Sequence, residues 1–169
     1  MTHRPRRAAG AVALLLVAAA GCAGQGDVGA PPAAEFEGNG VSVAVRLDRD
    51  TGGAERLRVT FRPQESGFHL YSVDLPAGGV SGLGIPTRLA VRGGLAADGA
   101  PTADRPLRTV SPAGLDVELP VYPDGPVTLT LPVHRTGEAR AEAVVSYGAC
   151  SEGRCLIPVF DRALGFALP

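Results

Sequence analysis

The 169-residue chain contains no lysine and no tryptophan, a single methionine and only three cysteines. Its 16 basic residues, all arginine, are set against 17 acidic ones, so no surplus of positive charge is available to follow a phosphate backbone. That balance argues against nucleic acid as a partner. No apolar run reaches the roughly 20 residues that a membrane-spanning helix needs. Long amphipathic helical patterns are missing as well. The 23 Gly and 15 Pro interrupt the chain at short intervals and suit a fold made of many turns. Apolar residues are present in ordinary amount, 45% of the chain, which is enough for the core of one domain and too much for wholesale disorder. An odd number of cysteines in an exported protein needs a reason.

Export is indicated by the first 21 residues. Arg4, Arg6 and Arg7 form a short positive segment, and Ala8 to Ala20 follows without a charge around Leu14-Leu15-Leu16. This length and order fit a signal peptide. The small residues Ala18 to Gly21 lead into Cys22, a run that resembles the lipobox of bacterial lipoproteins, in which the Cys is acylated and becomes the new N-terminus. The alternative is an ordinary secretory signal with Cys22 a bystander. Residues 22–35, rich in Gly, Ala and Pro and without periodicity, read as a flexible tether. The expected product is a domain over residues 36–169, held at the extracytoplasmic face of the cell membrane, on the periplasmic or cell-wall side, by a lipid on Cys22.

Through that domain, apolar residues recur at every second position. Val41, Val43, Val45 and Leu47 alternate with polar or small residues; so do Leu57, Val59 and Phe61, and later Leu115 to Val121 and Val127 to Val133. Each pattern places apolar side chains on one face of a strand. Asp48 to Gly53 reads as a turn, and Pro123-Asp124-Gly125-Pro126 reads as a hairpin connection between the last two runs. Arg140 to Tyr147 is assigned as strand on the strength of Val144, Val145 and Tyr147. The stretches Gly78 to Gly84 and Gly93 to Pro106 read as surface connections. Seven to nine short strands without a convincing helix predict an all-β chain, an immunoglobulin-like antiparallel β-sandwich.

The strongest local signal is Tyr147-Gly148-Ala149-Cys150-Ser151-Glu152-Gly153-Arg154-Cys155-Leu156-Ile157-Pro158. Two Cys flank a short polar segment that contains Gly153, as at the tip or neck of a hairpin. A bridge across so short a loop restricts the unfolded chain little, so exchange suits this pair better than stapling. Spacing alone leaves three fates open: a structural disulfide, a redox-active pair, or a metal site completed by His69 or His134.

The segment from Tyr147 to Pro158 resembles the active-site segment of the N-terminal periplasmic domain of DsbD-type thiol:disulfide interchange proteins. A second block, Gly67-Phe68-His69-Leu70-Tyr71-Ser72 followed by Gly84-Ile85-Pro86-Thr87, resembles the aromatic strand and the following turn of the same family. The order of the two blocks matches, and the family fold is immunoglobulin-like. The resemblance implies a thiol–disulfide exchange module, oxidoreductase-type in its chemistry, that passes electrons between thioredoxin-like partners through a Cys150/Cys155 dithiol–disulfide pair. It implies that Cys155 forms the mixed disulfide and that Cys150 resolves it, with Tyr71, Phe68, Glu152 and Arg154 nearby. Arg154 would favour a thiolate at Cys155, and Glu152 would oppose it. No cofactor and no resident metal are implied. Full-length interchange proteins continue into a membrane-spanning domain and a thioredoxin-like domain. The expectation here is a stand-alone lipoprotein served by a separate thioredoxin-like protein or membrane thiol–disulfide reductase. The other reading is a non-redox binding or scaffolding lipoprotein in which Cys150–Cys155 is structural.

Overall fold

In a computed structural model of the chain, Met1 and residues 33–169 are described. The signal segment, Cys22 and nearly all of the tether therefore lie outside the described residues. Thirteen strands and no helix occur among the described residues, and the fold is an immunoglobulin-like β-sandwich. One sheet runs β1 (Ala34–Gly38), β2 (Val41–Arg49), β3 (Glu55–Pro63) and β10 (Val127–Arg135), with β6 (Leu95–Ala97) and β7 (Thr102–Ala103) along the other edge of β10. The second sheet is β13 (Val159–Ala167), β11 (Arg140–Tyr147) and β5 (Arg88–Gly93). Two small ladders complete the strands of the described residues: β4 (His69–Leu70) with β12 (Ala149–Cys150), and β8 (Arg108–Val110) with β9 (Leu119–Val121). Every ladder between these strands is antiparallel.

The period-two runs become the inner faces of the two sheets. Val41, Val43 and Val45 of β2, Leu57, Val59 and Phe61 of β3, and Val127, Leu129, Leu131 and Val133 of β10 are buried. They share one core with Ala141, Ala143, Val145 and Tyr147 of β11 and with Leu164 and Phe166 of β13. Each fully buried large apolar side chain contributes on the order of 1.5–3 kcal/mol, so this face is what drives the sheets together. Phe61 meets Tyr147 edge to face, with ring centroids 5.6 Å apart, and the Tyr147 hydroxyl donates to the Gly38 carbonyl at 3.1 Å. The aromatic end of β11 is thereby fixed to the opposite sheet, and the chain leaves it at a defined place for the cysteine hairpin.

The Asp48–Gly53 turn is the β2–β3 hairpin. Asp50 Oδ1 accepts from the backbone N–H groups of Gly52 and Ala54 at 2.9 and 3.0 Å, and Gly53 takes φ 86°. The other hairpin expectation is corrected: β9 does not pair with β10. Both edges of β10 are taken, by β3 on one side and by β6 and β7 on the other. The β9 strand instead pairs with β8 and runs beside Tyr71. It is also shorter than its alternation suggested. Leu115 is exposed, and a turn at Pro112–Leu115 with Gly114 at φ 81° precedes the strand. The stretch Gly93 to Pro106, expected as a plain connection, contains β6 and β7. The strand count exceeds the expected seven to nine because several of these elements are two or three residues long.

Candidate functional site

β11 ends at Tyr147, Gly148 turns the chain, and β12 delivers Cys150. A Cβ at Gly148 would stand 2.7 Å from Ile85 Cβ, so the turn is open only to glycine while Ile85 keeps its place. Ser151 N–H donates to the Arg154 carbonyl at 2.8 Å, and Leu156 N–H donates to the Ala149 carbonyl at 2.9 Å. These bonds close a tight hairpin with Glu152 and Gly153 at its tip. Cys150 and Cys155 face each other across it and are joined as a disulfide, with Cα atoms 4.0 Å apart. The two cysteines differ in environment. Cys150 is buried, 6% exposed, whereas Cys155 lies on the exposed part of the hairpin. Leu156 turns back against the main core, and Ile157, 75% exposed, points out again.

The block Gly67 to Ser72 supplies the floor. β4 pairs with β12 so that Leu70 lies opposite Ala149 and His69 opposite Cys150. The next residue, Tyr71, reaches across and donates its hydroxyl to Cys150 Sγ at 3.1 Å. Burial pushes the Tyr71 pKa up from its ordinary value, so the phenol is a proton-bearing donor at neutral pH. The Gly84-Ile85-Pro86-Thr87 block explains itself through this tyrosine. Gly84, at φ 83°, lies so close that a Cβ there would stand 3.0 Å from the Tyr71 ring and 2.8 Å from Leu75 Cδ2. Pro86 bridges Tyr71 along the backbone, and the buried Thr87 hydroxyl donates to the Tyr71 carbonyl at 2.6 Å. Two motifs far apart in the chain thus form one support for the disulfide.

Phe68 is 3% exposed and belongs to the main core, yet its ring also carries the Arg154 guanidinium at 5.0 Å. Arg154 forms an ion pair with Glu65. Its charge is therefore partly answered before it can act on the neighbouring Cys155. Glu152 is exposed at the hairpin tip. Of the residues anticipated from sequence, Cys150, Cys155, Tyr71, Phe68 and Arg154 come together, and Glu152 stands at their rim. Cys22 lies outside the described residues.

Two features go beyond the sequence reading: the burial of His69 opposite Cys150, and its contact with Arg108. His69 is 6% exposed beside Cys150, its ring edge to face with Tyr71 at 6.0 Å. Arg108 Nη2 lies 3.4 Å from His69 Nδ1 and donates to Asp124 Oδ1 at 2.8 Å. Strand alternation places His69 on the face of Tyr71, which was the available signal. The other histidine, His134 on β10, bonds Asp98, which follows β6. No cluster of three or more His, Cys, Asp or Glu side chains suited to a metal occurs among the described residues. A groove of about 790 Å³ borders the hairpin's neighbours and is lined in part by Arg62, Glu65, Gly67 and Asp124.

Fold and site together define a class: an immunoglobulin-like β-sandwich bearing a disulfide at a hairpin tip, with one cysteine exposed and the other buried against a tyrosine hydroxyl. No protein-family model and no curated protein matches the chain. Among solved structures it is similar to the N-terminal periplasmic domain of ScsB from Proteus mirabilis, with TM-score 0.56 and 13% identity. That match covers 80% of this chain and 51% of the other, so the chain spans about half the length of the structure it resembles. A second match, to the GAE domain of GGA2p from Saccharomyces cerevisiae, has TM-score 0.40 and 10% identity over 83% of this chain and 98% of that one.

Proposed function

We propose that the chain is an extracytoplasmic thiol–disulfide exchange module, tethered to the membrane by lipid on Cys22, that passes electrons between thioredoxin-like partners through Cys150 and Cys155. The observation that carries this reading is the asymmetry of the disulfide: Cys155 is exposed, and buried Cys150 receives the Tyr71 hydrogen bond. The extracytoplasmic location is supported by the leader-like N-terminus and by the fold likeness to a periplasmic domain.

In the reductive half, a partner thiolate attacks Cys155 Sγ and forms a mixed disulfide. The Cys150–Cys155 bond breaks, and its electron pair leaves on Cys150 Sγ, where the Tyr71 hydroxyl is already positioned to donate. The partner's second thiolate then attacks its own sulfur and frees Cys155. The partner departs as a disulfide, and this chain is left with two thiols. In the oxidative half, Cys155 thiolate attacks a second partner's disulfide, and Cys150 thiolate attacks Cys155 Sγ. The internal bridge re-forms, and that partner leaves reduced.

The test is trapping with a thioredoxin-like protein that lacks its own resolving Cys and is activated as a mixed disulfide with thionitrobenzoate. Cys150→Ser should form a stable adduct through Cys155, and Cys155→Ser should form little. Adducts only with Cys155→Ser would reverse the two roles, and adducts with neither would favour the scaffolding reading. Lipidation is checked separately by mass: Cys22→Ser should remove an acyl modification from the membrane-fraction protein.

A further inference from the structure

One polar cluster lies across the β4–β12 ladder from Cys150 and has no part in the exchange steps above. His69 faces Cys150 directly across the β4–β12 ladder, so the two side chains leave the same face with Cβ atoms within about 5.5 Å. The His69 ring packs on Tyr71, whose hydroxyl bonds Cys150 Sγ. On its other side, His69 Nδ1 meets Arg108, and Arg108 is held by Asp124. A guanidinium has donors only, so Nδ1 must accept and the ring proton sits on Nε2. A second proton on Nδ1 would break that bond and set two cations together. Burial, and then the charge of Arg108, hold the His69 pKa below its ordinary value, consistent with a neutral ring.

Opening the disulfide leaves charge on Cys150 Sγ at a position only 6% exposed, where burial alone opposes the thiolate. We propose that Arg108 and His69 act as a pair of positioning residues that offset this opposition. Asp124 orients Arg108, Arg108 fixes the His69 tautomer, and the field of the guanidinium, carried through the imidazole, stabilises the Cys150 thiolate. The proposal rests on the exchange reading and adds to it the group that tunes the resolving sulfur. Neither residue exchanges electrons or takes up a proton. Other charged or titratable groups near the pair include Tyr71, which the His69 ring meets edge to face, Tyr122, whose N–H donates to the Leu70 carbonyl, exposed Glu152 on the hairpin, and exposed Arg154 with its partner Glu65.

The test is the pH dependence of Cys150 alkylation in the reduced full chain, using iodoacetamide and mass analysis of the peptide that contains each Cys. Arg108→Gln should slow Cys150 alkylation at pH 7 by about tenfold and move its profile to higher pH, leaving Cys155 unchanged. His69→Phe should do the same, and the double variant should do no more than either. His69→Gln, whose amide oxygen can still accept from Arg108, should restore most of the rate. Arg108 is half exposed and is replaced without disturbing the core, so its variant tests the proposal even where His69→Phe folds poorly. An unchanged Cys150 profile in Arg108→Gln, with the disulfide still forming on oxidation, would overturn the proposal. Trapping through Cys155 does not depend on these residues, so failure of the exchange reading is seen separately.

Discussion

Tyr71→Phe is the most informative single change. It removes one oxygen and keeps the ring that packs against Gly84 and Leu75. The lost bond is the 3.1 Å donation to Cys150 Sγ. A hydrogen bond to a charged acceptor contributes about 1.5–3 kcal/mol, against about 0.5–1.5 kcal/mol for a neutral one. The hydroxyl therefore favours the thiolate over the disulfide sulfur by on the order of 1–1.5 kcal/mol. Since 1.36 kcal/mol corresponds to one pKa unit, the Cys150 thiol should titrate about one unit higher in the variant. The same energy corresponds to a reduction potential more negative by about 20–30 mV when measured above the thiol pKa. Equilibration with glutathione mixtures, followed by quenching and separation of the two redox forms, reads the potential directly. A folded Tyr71→Phe protein with the parent potential and the parent alkylation profile would refute the reasoning.

The remaining predictions concern the support and the surface. Gly84→Ala should lower stability by about 1–3 kcal/mol in denaturant melts, because alanine is strained at φ 83° and its methyl would meet Tyr71 and Leu75. Glu55 is held at a pKa of about 2, down from 4.5, first by its hydrogen bonds from Arg135 and then by Arg49, with burial opposing both. A carboxylate with a depressed folded-state pKa stabilises the protein above its unfolded pKa and loses that contribution as pH falls. The thermal midpoint should therefore drop between about pH 5 and pH 2, by less in Glu55→Gln. The loss is on the order of 1 kcal/mol, because Arg49 is more than half exposed to screening water. Ile157→Asp should slow exchange with a thioredoxin-like protein severalfold and leave reduction by dithiothreitol unchanged, since this exposed side chain lies two residues beyond Cys155.

Much of the sandwich was legible because alternation is a backbone property that each strand declares for itself. Val41, Val43 and Val45, like Leu57, Val59 and Phe61, had one available face to bury, and they buried it. Which strands neighbour each other is a different matter. Leu115 to Val121 and Val127 to Val133 alternate equally well, but nothing in either run says that both edges of β10 are already filled. β6 and β7 were not readable, since two or three residues contain no period. In the site, the two motif blocks drew attention to Tyr71 and the cysteines, but the reason for Gly84 and Thr87 appears only when the Tyr71 ring and carbonyl lie beside them. His69 reads from the sequence as a candidate metal ligand and as a member of the Gly67–Ser72 block, and neither reading foretells its place opposite Cys150. Its partner Arg108 is 39 residues away, and such a pairing leaves no local trace.

The central claim is that Cys150 and Cys155 exchange rather than staple, and their reduction potential tests it most directly. Equilibrated against thioredoxin or glutathione, the pair should settle between about −120 and −270 mV, the range of catalytic dithiols. A value below about −300 mV would mark a structural bridge and contradict the account.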